Sequence, residues 1–302
     1  MLTHLIIVPC HSVWKANESE NALSKCNLGE TTDQWSLAPF QFEGNDHLYF
    51  IRHAIGAIAE LIHDVDNSVV MFSGSQTKPD RGPMSEAQSY YFLSQKIIEY
   101  YIRNHETGDC LPDNFDSQLR ADVKEICQYL NYQADNIKTL FSPQNISTEE
   151  FALDSFDNLV YSIGRFYEIC DSYPQSISIM GFGFKEVRFL DYHAKAIDFP
   201  KSKITCISSG PLPYNYSKEQ LETYFSNIDK AEHKNALSLF EKDWYGTLSP
   251  LIEKKASRNP YNRKANYKIM DILGMTEPIT NPEQHYISNI KGKMPWSVNA
   301  SQ

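Results

Sequence analysis

The sequence lacks the excess of positive charge that nucleic acids and anionic lipid surfaces select. Its 28 Lys and Arg stand against 38 Asp and Glu, a formal net charge of −10. Polyanions repel such a chain at long range, which argues against bulk nucleic-acid binding. No apolar run approaches the ~20 residues of a membrane-spanning helix. The early apolar stretch Leu5–Val8 is shorter than a signal-peptide core of ~7–15 residues, and no Lys or Arg precedes it. The expected compartment is therefore the cytoplasm. None of the six cysteines forms a C-x-x-C pair, so free thiols are expected rather than a zinc knuckle or a redox dithiol. No H-x-x-x-H, H-E-x-x-H or acidic cluster has ligand spacing, and no metal site is expected. Internal repeats and low-complexity segments are absent.

The composition suits a packed globular protein. The 302 residues are 41% hydrophobic and 22% charged, enough to bury a core without disulfide or metal staples. His4–Val8 and Ser68–Phe72 read as buried strands, with a long irregular stretch of residues 10–46 after the first. Leu48, Ile51, Ile55, Ile58, Ala59 and Ile62 recur at helical spacing and predict a helix over about 47–63. Ser85 and Gln88 form a capping-box pattern opening a helix to about Asn104. Residues 105–117 read as an inserted loop, followed by a helix near 119–131 and a short strand near 137–141.

Ser147 and Glu150 repeat the capping-box pattern and predict a helix to about Asp171. Its core face carries Ala152, Phe156, Leu159, Ile163, Phe166 and Cys170; Asp154, Asn158 and Arg165 mark the opposite, solvated face. Ser176–Met180 and Lys203–Ile207 are strands flanking a helix over about 184–197. The order predicts a Rossmann-like α/β domain over residues 1–212, with a mostly parallel sheet and helices on both faces. Residues 213–302 read as a helical and irregular extension, too apolar at Tyr261, Tyr267, Ile269, Ile272, Leu273 and Trp296 for a free tail.

Open parallel sheets bind ligands beyond the carboxyl ends of their strands. That rule selects Cys10–Trp14, Ser73–Thr77 with Ser85–Ala87, Gly181–Phe189 and Ser208–Pro211. Ser73, Gly74, Gln76 and Thr77 supply hydroxyls and backbone N–H groups suited to an anion, or form an ordinary strand-to-helix loop. The phosphate-loop pattern G-x-x-x-x-G-K-[ST] is missing, and Gly181-Phe-Gly183 is too short for a dinucleotide fingerprint. Lys185 and Arg188, three apart near a helix start, either grip an anion or pair with Glu186 and Asp191 on a solvated face. His11 and Glu86 are the candidates for a general acid or base. Ser12, Glu149, Ser155 and Asn158 are further ligand-binding candidates. Cys10 reads as a buried residue rather than a nucleophile, and His193 as a packing residue. Lys254, Lys255, Arg258, Arg263, Lys264 and Lys268 form a basic cluster, either a surface face or a clamp folded over the site.

At these same loops the chain resembles the family called domain of unknown function 218, the SanA/YdcF/ElyC type. The matching pieces are Ile6-Ile7-Val8, Ser73-Gly74 with Ser85-Glu86-Ala87, Glu149 with Ser155 and Asn158, and Phe184-Lys185 with Arg188. Val8–Ser12, Leu37–Gln41 and Arg258–Pro260 look like its fungal branch. The resemblance spans roughly residues 3–265. It implies a Rossmann-like fold with a charged pocket and suggests an enzyme without naming a reaction. Ser75 stands where that family commonly has a second Gly. The expectation is a small anionic ligand, with nucleotide-like or S-adenosylmethionine-like molecules suggested by fold-level analogy. The rival expectation is a non-catalytic interaction protein that docks a partner on its Tyr-rich, basic C-terminal region.

Overall fold

The computed structural model describes residues 2–16, 26–108, 110–275 and 277–297. Five strands form one sheet: β1 (His4–Pro9), β2 (Ser68–Ser73), β3 (Ile146–Glu149), β4 (Ser176–Phe182) and β5 (Ile204–Ser209). Their order is β3-β2-β1-β4-β5, and every pairing is parallel. The chain winds outward from β1 to β3, then crosses back to β4. The reversal falls between β1 and β4, which is where a doubly wound sheet opens a crevice at its carboxyl edge.

Alternation along the strands divides the core into two. Ile6, Val8, Val70, Phe72, Met180 and Phe182 face α1 (Asp46–His63), α2 (Glu86–Asn104), α3 (Ser117–Tyr129) and α4 (Ala134–Leu140). Leu5, Ile7, Val69, Met71, Ile177, Ile179 and Ile204 face the other way, onto α5 (Ser155–Cys170) and the segment 189–199. Both faces are apolar because helices cover both, as in parallel sheets generally. The second face continues into the C-terminal region: Phe240, Tyr245, Leu251, Tyr267, Ile269, Leu273, Ile279, Ile290 and Met294 join that cluster. Each fully buried side chain of this size contributes about 1.5–3 kcal/mol, so the C-terminal residues are part of the core.

The structure corrects several expectations. Residues 134–140 are helical rather than a strand, since Ile137 and Leu140, three apart, bury one helical face. The strand is Ile146–Glu149, and Ser147 and Glu149 lie in it. The S-x-x-E pattern there caps nothing; α5 is capped by Asp154, whose carboxylate accepts from the Asp157 N–H. The solvated stripe on α5 is also revised. Asn158 is buried, and Asp154 pairs with Lys255 at 3.2 Å. Arg165 alone of the three pairs at the surface, with Glu168 at 2.7 Å. The helix expected over 184–197 is a 3-10 turn, a π-helical stretch at Arg188–His193 and a final α turn. No helix among the described residues is long and apolar enough to cross a membrane. All six cysteines are free.

The contact between α5 and the C-terminal region generates a test. A Cβ on Gly164 meets the Cβ of Tyr267 at 2.7 Å and Ile269 Cγ2 at 2.9 Å. In an open helix Gly→Ala gains about 0.5–1 kcal/mol from propensity, whereas overpacking a core costs about 1–3 kcal/mol. The nearest atom is a β-carbon and does not swing away. Gly164→Ala is therefore expected to lower stability by about 1–2 kcal/mol in urea denaturation. A stabilised variant would show that the region around Tyr267 does not rest on α5.

Candidate functional site

The crevice between β1 and β4 places His11 beside Lys185. His11 follows β1 directly, and its ring stacks on Phe182 at 5.4 Å and tilts against Phe50 at 5.7 Å. Its backbone is fixed from both sides: its N–H donates to the Tyr90 hydroxyl and its carbonyl accepts from Gln41. Lys185 follows β4, with its Nζ 3.2 Å from His11 Nε2 and over the faces of Phe182 and Phe184. No carboxylate lies within ion-pair distance of Lys185 among the described residues. Burial, reinforced by the nearby Arg188 charge, pulls the amine down to about 7. Burial and the Lys185 charge hold His11 well below its usual value, so the imidazole is neutral.

Arg188 is engaged differently. Its guanidinium forks onto both carboxylate oxygens of Glu232, from the helix Lys218–Glu232, and also reaches Ser155 Oγ at 3.2 Å. Its partner is thus neither Glu186 nor Asp191; Asp191 pairs with Lys201. Ser155 Oγ lies 2.7 Å from His193 Nε2, in a cage of Phe156, Phe189 and Phe240. His193 is therefore buried and bonded through one nitrogen, as a packing histidine would be.

Two of the amides in the loop after β2 are already engaged. The Gly74 N–H donates to the Glu149 carbonyl and the Ser75 N–H to the Ala152 carbonyl. Ser73 donates its hydroxyl to Glu149 at 2.7 Å, and Asn158 donates to both the carbonyl and hydroxyl of Ser73. Glu149 also accepts from the N–H groups of Phe151 and Ala152 and from the Tyr267 hydroxyl. Ser73, Glu149 and Asn158 are thus buried together as a support for the loop. Gln76 donates to the Pro83 carbonyl and tethers the far end. Cys10 is buried with its thiol pushed up by burial, which suits packing rather than nucleophilic attack.

Glu86, the first residue of α2, projects back over this loop and accepts from Thr77 Oγ1 at 2.5 Å. Gly74 is required there, because a Cβ would stand 2.9 Å from the Glu86 carboxylate and 3.0 Å from Cys10 Cβ. Burial raises the Glu86 carboxyl to about 7 and the Asp46 carboxyl, at the start of α1, also to about 7. Groups near 7 are matched to proton exchange at neutral pH. Ser12 and Ser75, in the loops after β1 and β2, bury hydroxyls that have no hydrogen-bond partner among the described residues. An open trough of about 430 Å³ lies against Phe184, lined also by Gly183, Ser208, Gly210, Phe225 and Asp229.

The expected juxtaposition of Lys185 with the Ser73–Thr77 loop is revised by the strand order. β1 lies between β2 and β4, so His11 is the immediate neighbour of Lys185. Asp46 and Glu232 are residues that the sequence pattern did not single out. Asp46 sits in the first turn of a predicted helix, and Glu232 lies 44 residues beyond its partner with no local signal.

These features define a doubly wound α/β protein with a partly charged crevice at its strand-order reversal. No family model matches the chain, and no solved structure matches it. Over 299 residues it is 49% identical to the uncharacterized protein YOR238W of Saccharomyces cerevisiae, spanning 97% of each chain. The chain belongs to that protein's family.

The Glu149 hub carries a pH signature. Burial raises this carboxyl to about 7 from an ordinary value of 4.5. Between those values the native state holds a proton that the unfolded state releases, so rising pH costs stability. Gln has no proton to lose. Glu149→Gln is expected to gain on the parent as pH rises from 4.5 to 7.5, by about 2–3 kcal/mol in paired urea denaturations. A pH-independent difference would mean that Glu149 is ionised in the folded protein.

Proposed function

We propose that the chain binds a small anion at the carboxyl ends of β1 and β4 and acts on it as an enzyme. One observation carries this reading: the Lys185 amine and the His11 imidazole face each other at 3.2 Å with no carboxylate between them. The buried Lys185 amine has no counter-charge of its own, so a negative group entering beside it stabilises its protonated form. An arriving anion takes a proton-bearing Lys185 and a neutral His11 N–H as donors. Glu86, protonated half the time near pH 7, exchanges the proton, with His11 as the other candidate. Arg188 shapes the crevice with its charge already matched by Glu232. The trough beside Phe184 has room for the body of the ligand.

The interaction-protein reading draws less support. Its aromatic tail is largely spent on the core, with Tyr245, Tyr267, Ile269 and Leu273 buried. The same loops carry the resemblance to the domain of unknown function 218 family, and the free thiols suit a cytoplasmic protein.

Thermal unfolding with sulfate, whose charge is constant over the range, tests the reading. Sulfate is expected to raise the melting temperature at pH 6 and to do so less at pH 8. The sign comes from Lys185: the anion selects the charged amine, which empties above about 7. Lys185→Ala should lose the sulfate effect at both pH values. Equal stabilisation of parent and variant would make Lys185 a bystander and remove the reading's physical support.

A further inference from the structure

We propose that Arg258, carried by the C-terminal region, is a second ligand-binding cation of this site, and that the ligand is a tetrahedral dianion, the phosphate of a phosphomonoester. The inference rests on the anion reading of Lys185 and His11 and adds to it the charge and shape of the group bound.

The geometry comes from the helix Leu251–Ser257 and the arm of chain beyond it, residues 258–263. Lys255 pins that helix to the start of α5, 2.7 Å from Asp157 and 3.2 Å from Asp154. Arg258 then comes over the β3–α5 loop, where Nη1 donates to the Leu153 carbonyl at 2.9 Å. Leu153 is two residues from Ser155, which touches Arg188. Further along, the Tyr261 hydroxyl donates to the Gly82 carbonyl in the β2–α2 loop. Arg263 donates to the Glu150 carbonyl and lies over the Phe151 ring at 4.3 Å. The arm thus crosses the β3–α5 and β2–α2 loops at the carboxyl edge of the sheet.

Cations here fall into two groups. Arg188 and Lys255 are matched by carboxylates, and Arg263 is held on an aromatic face. Arg258 is exposed, bonded to one neutral carbonyl and free of any carboxylate partner among the described residues. Its charge is felt on both sides of the crevice, by Lys185, His11, Glu86 and Lys254. One ammonium suits a monoanion. An ammonium and a guanidinium acting on one ligand suit two charges, and the guanidinium fork matches two oxygens of a tetrahedral centre.

Calorimetric titration at pH 6.5 separates the claims, with sulfate as the tetrahedral dianion and nitrate as a monoanion. The parent should bind sulfate more tightly than nitrate. Arg258→Ala should weaken sulfate about tenfold or more and nitrate far less, while Arg258→Lys keeps part of the preference. Arg258 is exposed, so its variants should melt as the parent does. If Arg258→Ala keeps the parent's sulfate affinity while Lys185→Ala loses it, Arg258 is not a ligand-binding residue and the anion reading stands. If Arg258→Ala weakens both anions equally, the dianion assignment fails. If the parent binds neither anion, the anion reading itself fails and this inference with it.

Discussion

The buried carboxyl of Glu149 is the point on which the arrangement of loops depends. It ends β3, and its acceptors are filled by the Ser73 hydroxyl at the end of β2, two backbone N–H groups of the β3–α5 loop, and the Tyr267 hydroxyl from the C-terminal region. Asn158, on α5, closes the ring by donating to Ser73. Three separately encoded segments are therefore bonded to one group, and α5 joins them through Ser73. In a low-dielectric interior each unfilled position would cost about 1–3 kcal/mol, so the network holds together or fails together. The backbone carbonyls of Glu149 and Ala152 take the amides of Gly74 and Ser75, which makes the loop after β2 a wall against which Glu86 is pressed.

The wall has an electrostatic consequence. Glu86, Glu149 and Asp46 are buried where ionisation is opposed, and Lys185 and His11 are buried where protonation is opposed. Desolvation, joined at Lys185 and His11 by neighbouring positive charges, thus raises the acids and lowers the bases, which disfavours fixed charge deep in the crevice. The fixed charges sit further out and are mostly paired, as Arg188 with Glu232 and Lys255 with Asp154 and Asp157.

Much of the scaffold was legible in the sequence because periodicity reports burial. β1, β2, β4 and β5 are runs of apolar or β-branched residues, and α1 and α2 carry clear helical spacing and, at Ser85, a real capping box. β3 was not legible, since Ile146–Glu149 is a four-residue edge strand of which three residues are polar. Its Ser147 and Glu150 mimic a capping box because the pattern specifies residue types, not backbone conformation. The candidate residues were found by position, at strand ends, and the structure does bring His11 and Lys185 together there. Which of them contact a ligand and which support the loop depends on partners distant in sequence: Asn158 with Ser73 is separated by 85 residues and Arg188 with Glu232 by 44. Local pattern carries no record of such pairs.

The C-terminal region shows why the sheet and the extension are best understood together. Leu5, Ile7, Val69 and Met71 present an apolar face that packs in one cluster with α5, the segment 189–199 and residues from 236 onward. The C-terminal region, from the helix Lys218–Glu232 on, delivers Glu232 to Arg188, Lys255 to Asp157 and Tyr267 to Glu149. Burial of the second face therefore sets the position of side chains around the crevice, and a change that loosens the packing near Gly164 also loosens the hydrogen bond that Tyr267 gives Glu149. The yeast relative matches the chain over 97% of its own length, so the match takes in the region that supplies these partners. In physical terms the strand ends place His11 and Lys185 side by side, and the C-terminal region supplies the Glu232 carboxylate and the Tyr267 hydroxyl that hold the surrounding side chains.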